Sequence, residues 1–203
     1  MIKKYNYVPF LDDEEEVYDY NNYYYWNGVF SEADCDTIIQ MGKKRKLDSG
    51  VVESEHLNNV DDSIKSRRSK IAWMDLNPET EWIYERIHKY AVLTNKEMKW
   101  NFNLYGFIDL LQFTEYSDTY NGHYDFHSDL VRNTTVRKMS VVLQLSDEKS
   151  YTGGDFEIFN RGTMPRKRAS LLFFPSFLVH KVHPVTSGTR YSLVTWISGP
   201  RFF

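Results

Sequence analysis

Apolar and polar residues follow different rhythms in the two halves of this chain. In the first half, Ile38, Ile39 and Met41 form a short apolar face behind Ser31 and Asp34, a pair spaced like a capping box. This predicts a helix over 32–43, ended by Gly42 or the lysines beside it. Ser69 to Met74 reads as a strand. A second helix is predicted from Asn77 as N-cap and Pro78 at the first position, with Trp82, Ile83, Ile87, Tyr90 and Ala91 on one stripe suited to packing on a sheet. From Tyr105 onward the texture changes to short apolar or alternating runs, at 105–116, 123–130, 136–145, 154–159, 169–174, 177–185 and 190–197. Runs of this kind, parted by turn residues, predict an antiparallel sandwich or barrel. Gly153-Gly154 and Arg161-Gly162 supply turns, and Pro175-Ser176 and Thr186-Ser187-Gly188 are expected to separate the last three strands. The fold class expected is α+β, mainly β: a double-stranded β-helix, or jelly roll, with two supporting N-terminal helices over one face.

Two segments stand outside this rhythm. Residues 47–66 are polar, with Gly50, Asn58 and Asn59, and read as a loop able to fold over an active site. The acidic run Asp12–Glu16 leads into the tyrosine-rich stretch Tyr18–Tyr25, which suggests an edge strand or a contact surface. With 203 residues the chain is long enough for one substantial core and short for two, so a single domain over 1–203 is expected, with 1–104 a variable helical support and 105–203 the jelly-roll core.

Charge and cysteine usage narrow the setting. A net charge of -3 gives no overall pull toward nucleic acid, and the basic clusters 43–46, 65–70 and 166–168 read as solvated surface, or second to that as the border of a groove for an acidic partner. The start Met1-Ile2-Lys3-Lys4 lacks the apolar core of a signal peptide, and no apolar run approaches the roughly 20 residues that span a bilayer. A single cysteine, Cys35, cannot close an internal disulfide and fits a reducing compartment. The expectation is a cytoplasmic protein with no membrane partner.

The chemistry is concentrated in His127-Ser128-Asp129, answered by His180 and then by Arg190 and Ser192. Two imidazoles and a carboxylate occupy one face of an octahedral metal and leave open positions, as in non-heme ferrous oxygenases. In an extended strand, residues i and i+2 share a face, so His127 and Asp129 would address one ion, and Arg190 and Ser192 one anion. The planar fork of Arg190 suits a carboxylate. His123, two residues before Asp125, and His183 compete for the ligand roles, whereas His56 and His88 read as surface or half-buried imidazoles.

His127-Ser128-Asp129, Gly153-Gly154-Asp155-Phe156, Phe174-Pro175 and the run His180 to Ser192 together resemble the iron(II) and 2-oxoglutarate dependent dioxygenases. Within them the chain is most similar to the prolyl 4-hydroxylase-like branch and its PKHD-type hydroxylases. The likeness covers residues 105–199. It implies His127, Asp129 and His180 as iron ligands, favoured over His123 because Tyr124 falls three residues before His127, and over His183 because His180 precedes Arg190 by ten. It implies that Arg190 holds the distal carboxylate of 2-oxoglutarate with help from Ser192, that Tyr116, Tyr124 and Trp196 line the pocket, and that Gln144 reaches the same carboxylate through its amide. Gly153 and Gly154 read as a tight turn, and Trp196 equally as core or pocket wall. The implied requirements are Fe(II), 2-oxoglutarate as cosubstrate and O2, and the family pattern admits ascorbate. The implied reaction is hydroxylation of a prolyl, less favourably a lysyl, residue of a protein or peptide, with release of succinate and CO2. Loop 47–66 and segment 128–137 would rim the entrance. Two rivals stand beside this: an oxygenase acting on a nucleic acid or small metabolite, and a non-catalytic jelly-roll module that keeps a metal. The second has no use for the anion clamp at Arg190.

Overall fold

The computed structural model describes residues 20–50, 66–130 and 135–202. The acidic run Asp12–Glu16, His56 with the rest of 51–65 in the expected 47–66 loop, and 131–134 of the 128–137 rim lie outside them. Among the described residues two helices, α1 (Glu32–Lys43) and α2 (Glu81–Glu97), accompany fourteen strands. The first five are β1 (Tyr24–Trp26), β2 (Asp48–Ser49), β3 (Arg67–Arg68), β4 (Lys70–Met74) and β5 (Gly106–Phe107). Then come β6 (Leu111–Ser117), β7 (His123–His127), β8 (Val136–Gln144), β9 (Tyr151–Gly153) and β10 (Phe156–Ile158). The last are β11 (Gly162–Thr163), β12 (Leu171–Pro175), β13 (His180–Val182) and β14 (Val185–Gly199).

The strands form two antiparallel sheets. The larger runs β1-β12-β8-β14-β6-β4-β2, with β5 and β9 also paired to β14; the smaller runs β11-β10-β13-β7-β3. Period-two alternation sorts the side chains of the large sheet. Met139, Val141, Leu143, Leu171, Phe173, Leu193 and Ile197 point to the outer face, where they meet Cys35 and Ile38 of α1 and Ile83, Ile87 and Ala91 of α2. Val142, Leu172 and Phe174 point the other way and pack on Phe156, Ile158 and Val182 of the small sheet. Strands covered on both sides read as unbroken apolar runs, which explains Leu171–Phe174. The result is the expected α+β, mainly β, double-stranded β-helix, with both helices on one outer face. No helix among the described residues is long and apolar enough to cross a membrane.

Helix α1 has the predicted bounds. The Ser31 hydroxyl accepts from the Asp34 amide at 3.0 Å, and the Asp34 carboxylate accepts from the Ser31 amide at 2.8 Å. Gly42 does not end it. The residue is buried inside the helix, and a Cβ there would stand 2.3 Å from the Phe113 ring, so its role is close approach to the sheet. Helix α2 starts later than predicted. The Asn77 side chain accepts from the Glu79 amide at 2.9 Å in a turn of its own, the Thr80 hydroxyl bonds back to Asp75, and the helix begins at Glu81. Tyr84 then fastens α2 to the sheet, its hydroxyl donating to the Met74 carbonyl at 2.7 Å and accepting from the Leu111 amide at 3.1 Å.

Other differences concern strands. Thr186-Ser187-Gly188 does not break the chain: β14 runs through it, with Gly188 at φ 76°, pairing first with β9 and then with β6 and β8. The predicted 177–185 run divides into β13 and the start of β14. The N-terminal part is more than helical support, since β1, β2 and β4 widen the large sheet and β3 the small one. Of the tyrosine-rich stretch, Tyr24 and Tyr25 enter β1 as an edge strand against β12.

Candidate metal centre and anion pocket

His127 and His180 are directly paired across β7 and β13. Asp129 follows two residues after the end of β7, its amide donating to the Ser176 carbonyl at 3.0 Å. These elements bring ligand atoms of His127, Asp129 and His180 within 4.8 Å of one another, the one such group of three among the described residues. The Asp129 carboxylate lies 3.7 Å from His127 Nε2 and 3.5 Å from His180 Nε2. Both Nδ1 atoms are engaged elsewhere, with the Asp125 carbonyl at 2.7 Å and the Leu178 carbonyl at 2.9 Å. A carbonyl can only accept, so each Nδ1 carries a proton and each Nε2 turns toward the carboxylate. Asp129 is steadied in turn by the Ser140 hydroxyl, which donates at 2.7 Å and lies 2.9 Å from Ser176 Oγ.

Electrostatics favour the metal-ready state. Burial, reinforced by the neighbouring His180, pushes the His127 pKa from 6.5 to about 3, so the imidazole is neutral at physiological pH. Burial opposes the charge of Asp129, but His180, His127 and the Ser140 hydroxyl outweigh it and hold the carboxyl below its usual range. Two imidazoles, that of His127 held neutral, beside a carboxylate are a donor set that fits ferrous iron. Tyr124 stacks on His127 with ring centroids 3.4 Å apart, and burial raises its phenol to about 12, keeping it protonated.

Arg190 stands on β14 opposite Tyr116 and is 1% exposed. One of its amino groups donates to Gln144 Oε1 at 2.8 Å, while Nε and Nη1 are buried without a hydrogen-bond partner. A buried guanidinium with two idle nitrogens is costly unless an anion joins it, and a carboxylate fits them. Gln144 has a different geometry from the one predicted. Its oxygen serves Arg190 and its Nε2 donates one proton to the Pro165 carbonyl at 3.2 Å, so it orients the guanidinium.

Arg190, Ser192, Val194, Trp196 and Ser198 alternate along one face of β14 and line an open cleft of about 1170 Å³ together with Tyr116, Tyr124 and all three clustered ligands. The remaining predictions sort cleanly. His183 bonds the Glu157 carboxylate at 2.6 Å, His123 bonds the Asn121 carbonyl at 2.7 Å, and His88 is exposed on α2. Gly153 and Gly154 take φ of 67° and 63°, and a Cβ on Gly153 would stand 2.2 Å from the Pro184 carbonyl, which fits the tight-turn reading.

Several cleft residues were not singled out in the sequence. Ser140, which reaches Asp129 without lining the cleft, was findable, because it shares a β8 face with Val142 and Gln144. Arg137 closes the segment expected to rim the entrance and Arg67 lies in the basic cluster 65–70, whereas Trp73 and Asp109 gave no signal, being distant in sequence. Arg137 lies 3.6 Å over the Trp196 ring and makes two hydrogen bonds to Asp109, at 2.9 and 2.8 Å. Arg67 lies over the Tyr124 ring at 4.6 Å and donates to Ser69.

Comparison with known proteins agrees with this geometry. A PKHD-type hydroxylase from Synechococcus sp. is 38% identical over 80 residues, covering 37% of this chain and 36% of its own length. Another, from Alteromonas mediterranea, is 34% identical over 93 residues, covering 42% and 41%. The matched segments thus span only some two fifths or less of these relatives. Among solved structures, a Pseudomonas putida prolyl-4-hydroxylase superposes with TM-score 0.67 at 18% identity, over 89% of this chain and 93% of that one. A viral collagen prolyl hydroxylase of Paramecium bursaria Chlorella virus-1, solved with 2OG, gives 0.66 at 21%, over 87% and 96%. These likenesses establish the fold. Residues 111–198, which hold the three clustered donors and Arg190, match the 2OG-Fe(II) oxygenase superfamily.

Proposed function

We propose that this chain, working as one domain over 1–203, is an Fe(II)- and 2-oxoglutarate-dependent dioxygenase that hydroxylates a prolyl residue of a protein or peptide in the cytoplasm. The observation that carries the reading is the convergence, in one cleft, of three metal donors and a buried arginine with two unpaired nitrogens. His127, Asp129 and His180 would hold iron, and Arg190 with Ser192 the distal carboxylate of 2-oxoglutarate. When bound, ferrous iron, 2-oxoglutarate and O2 supply the oxidising power that turns a C–H bond into C–OH, releasing succinate and CO2.

The residues of the chain bind and orient. The Asp125 and Leu178 carbonyls fix both imidazole tautomers, Ser140 anchors the carboxylate, and Gln144 sets the plane of Arg190. Tyr124, Phe156 and Trp196 line the cleft and limit water beside the ligands. A polypeptide substrate is supported by the open cleft and by a structural neighbour, from Trichoplax adhaerens, in complex with a hypoxia inducible factor peptide fragment. The net charge of -3 speaks against nucleic acid.

The test is incubation of the Fe(II)-loaded chain with 2-oxoglutarate, O2 and a peptide library containing proline. Succinate should form together with peptides heavier by one oxygen atom at proline. Oxygen added only to lysine, to oligonucleotides or to small metabolites would refute the prolyl assignment, and no succinate under any condition would refute the enzyme.

A further inference from the structure

Beside the metal cleft lies a second hollow of about 340 Å³, between the start of α2 and the segment 107–110. Ile108 and Asp109 line both and form the ridge between them. The hollow has two kinds of wall. Leu76, Ile108 and Leu110 are 62%, 55% and 41% exposed, so three large apolar side chains gather at one place, which marks a binding surface more than scattered exposure does. Glu81 and Glu85 stand one turn apart on α2 and face the same hollow, with no ion pair among the described residues. The helix dipole accounts for Glu81 in the first turn. It does not account for Glu85, whose like charge stands at i+4 from Glu81, although Lys89 follows one turn on and His88 shares the hollow. Asp109 is already neutralised by Arg137, so the two glutamates dominate the local field.

We propose that this hollow is an exosite for the substrate polypeptide, taking a segment beside the hydroxylated residue that carries an apolar side chain next to a lysine or arginine. The inference rests on the peptide-hydroxylase reading above. A chain lying in the metal cleft crosses Ile108 directly into the hollow, and a cationic, apolar segment answers both walls at once. The acidic run Asp12–Glu16 of this chain has the wrong sign to sit against Glu81 and Glu85.

The test uses the full chain loaded with Fe(II) and 2-oxoglutarate in the absence of O2. It is titrated into a fluorescein-labelled peptide in which one proline is flanked on both sides by alternating leucine and lysine, and anisotropy is read. The double variant Glu81→Lys, Glu85→Lys and the single variant Leu76→Ser should each raise Kd by about tenfold. Both changes are on the surface, and circular dichroism checks that each variant is folded. Loss in the charge reversal alone, with Leu76→Ser binding like the parent, would reduce the effect to general attraction and overturn the exosite. Parent-like affinity in both variants, or no binding by the parent, would overturn it too. Admitting O2 separates the two readings. Binding that depends on the hollow, with no oxygen added to proline, removes prolyl hydroxylation and leaves the exosite; hydroxylation at an unchanged KM in both variants removes the exosite and leaves hydroxylation.

Discussion

Each clustered ligand is held by a neighbour that sequence spacing alone does not reveal, and removing ligand or neighbour should have different consequences. Replacing His127, Asp129 or His180 by alanine should abolish 2-oxoglutarate-dependent succinate release and lower the iron retained after desalting; full activity in any of the three would remove that residue from the ligand set. Ser140→Ala leaves the ligands in place but strips the Asp129 carboxylate of its hydroxyl donor. Losses of this sort cost roughly 10- to 100-fold in metal affinity, measurable by competition with a chromogenic chelator. Arg190→Ala should act on the cosubstrate. Losing a charge-assisted contact of about 1.5 to 3 kcal/mol raises the KM for 2-oxoglutarate by roughly ten- to a hundredfold, and an unchanged KM would take Arg190 out of the pocket. Gln144→Met should raise the same KM by less, since it only frees the arginine to turn.

At the level of elements, helix α1 depends on a glycine where a helix ordinarily disfavours one. An added methyl at Gly42 would drive into the Phe113 ring, which is fully buried and cannot move aside. The helix-propensity gain of about 1 kcal/mol on going from glycine to alanine is opposed by overpacking of about 1 to 3 kcal/mol. Gly42→Ala should therefore lower Tm, by a few degrees in a protein of this size, and a raised Tm would mean the helix can ride up from the sheet. The bounds of α1 were legible because its capping box is a local hydrogen-bonded device. Those of α2 were not, because Asn77-Pro78 closes a turn of its own before Thr80. The short strands β2, β3, β9 and β11 escaped for a related reason: two or three residues carry too little period to register, and it is the neighbouring strand that makes them strands.

Across the whole molecule, the buried cluster of candidate metal donors links stability to pH. Between 6.5 and about 3 the unfolded His127 binds a proton that the folded one refuses. The stability tied to His127 is therefore complete above 6.5 and drains away as the pH falls through this window. The depressed Asp129 adds to the loss at still lower pH, below its ordinary value of 3.8. Metal-free protein should show a falling urea midpoint from neutrality toward acid, and His127→Gln should flatten that slope; an equal slope in the variant would mean another group titrates. What the sequence determined by itself is whatever rests on local or strictly periodic patterns: the helix-then-strand order, the double-sheet architecture, the i, i+2 pairs His127/Asp129 and Arg190/Ser192, and the turn at Gly153-Gly154. Only the tertiary structure decided that His180 closes on the His127/Asp129 pair, that Gln144 braces Arg190, that Arg67, Trp73 and the Asp109–Arg137 pair enter the cleft, and that a second hollow adjoins it. Those relations join residues far apart in the chain, and they arise from strand pairing and sheet packing, whose register follows from the burial of both faces at once and leaves no periodic trace in any one segment.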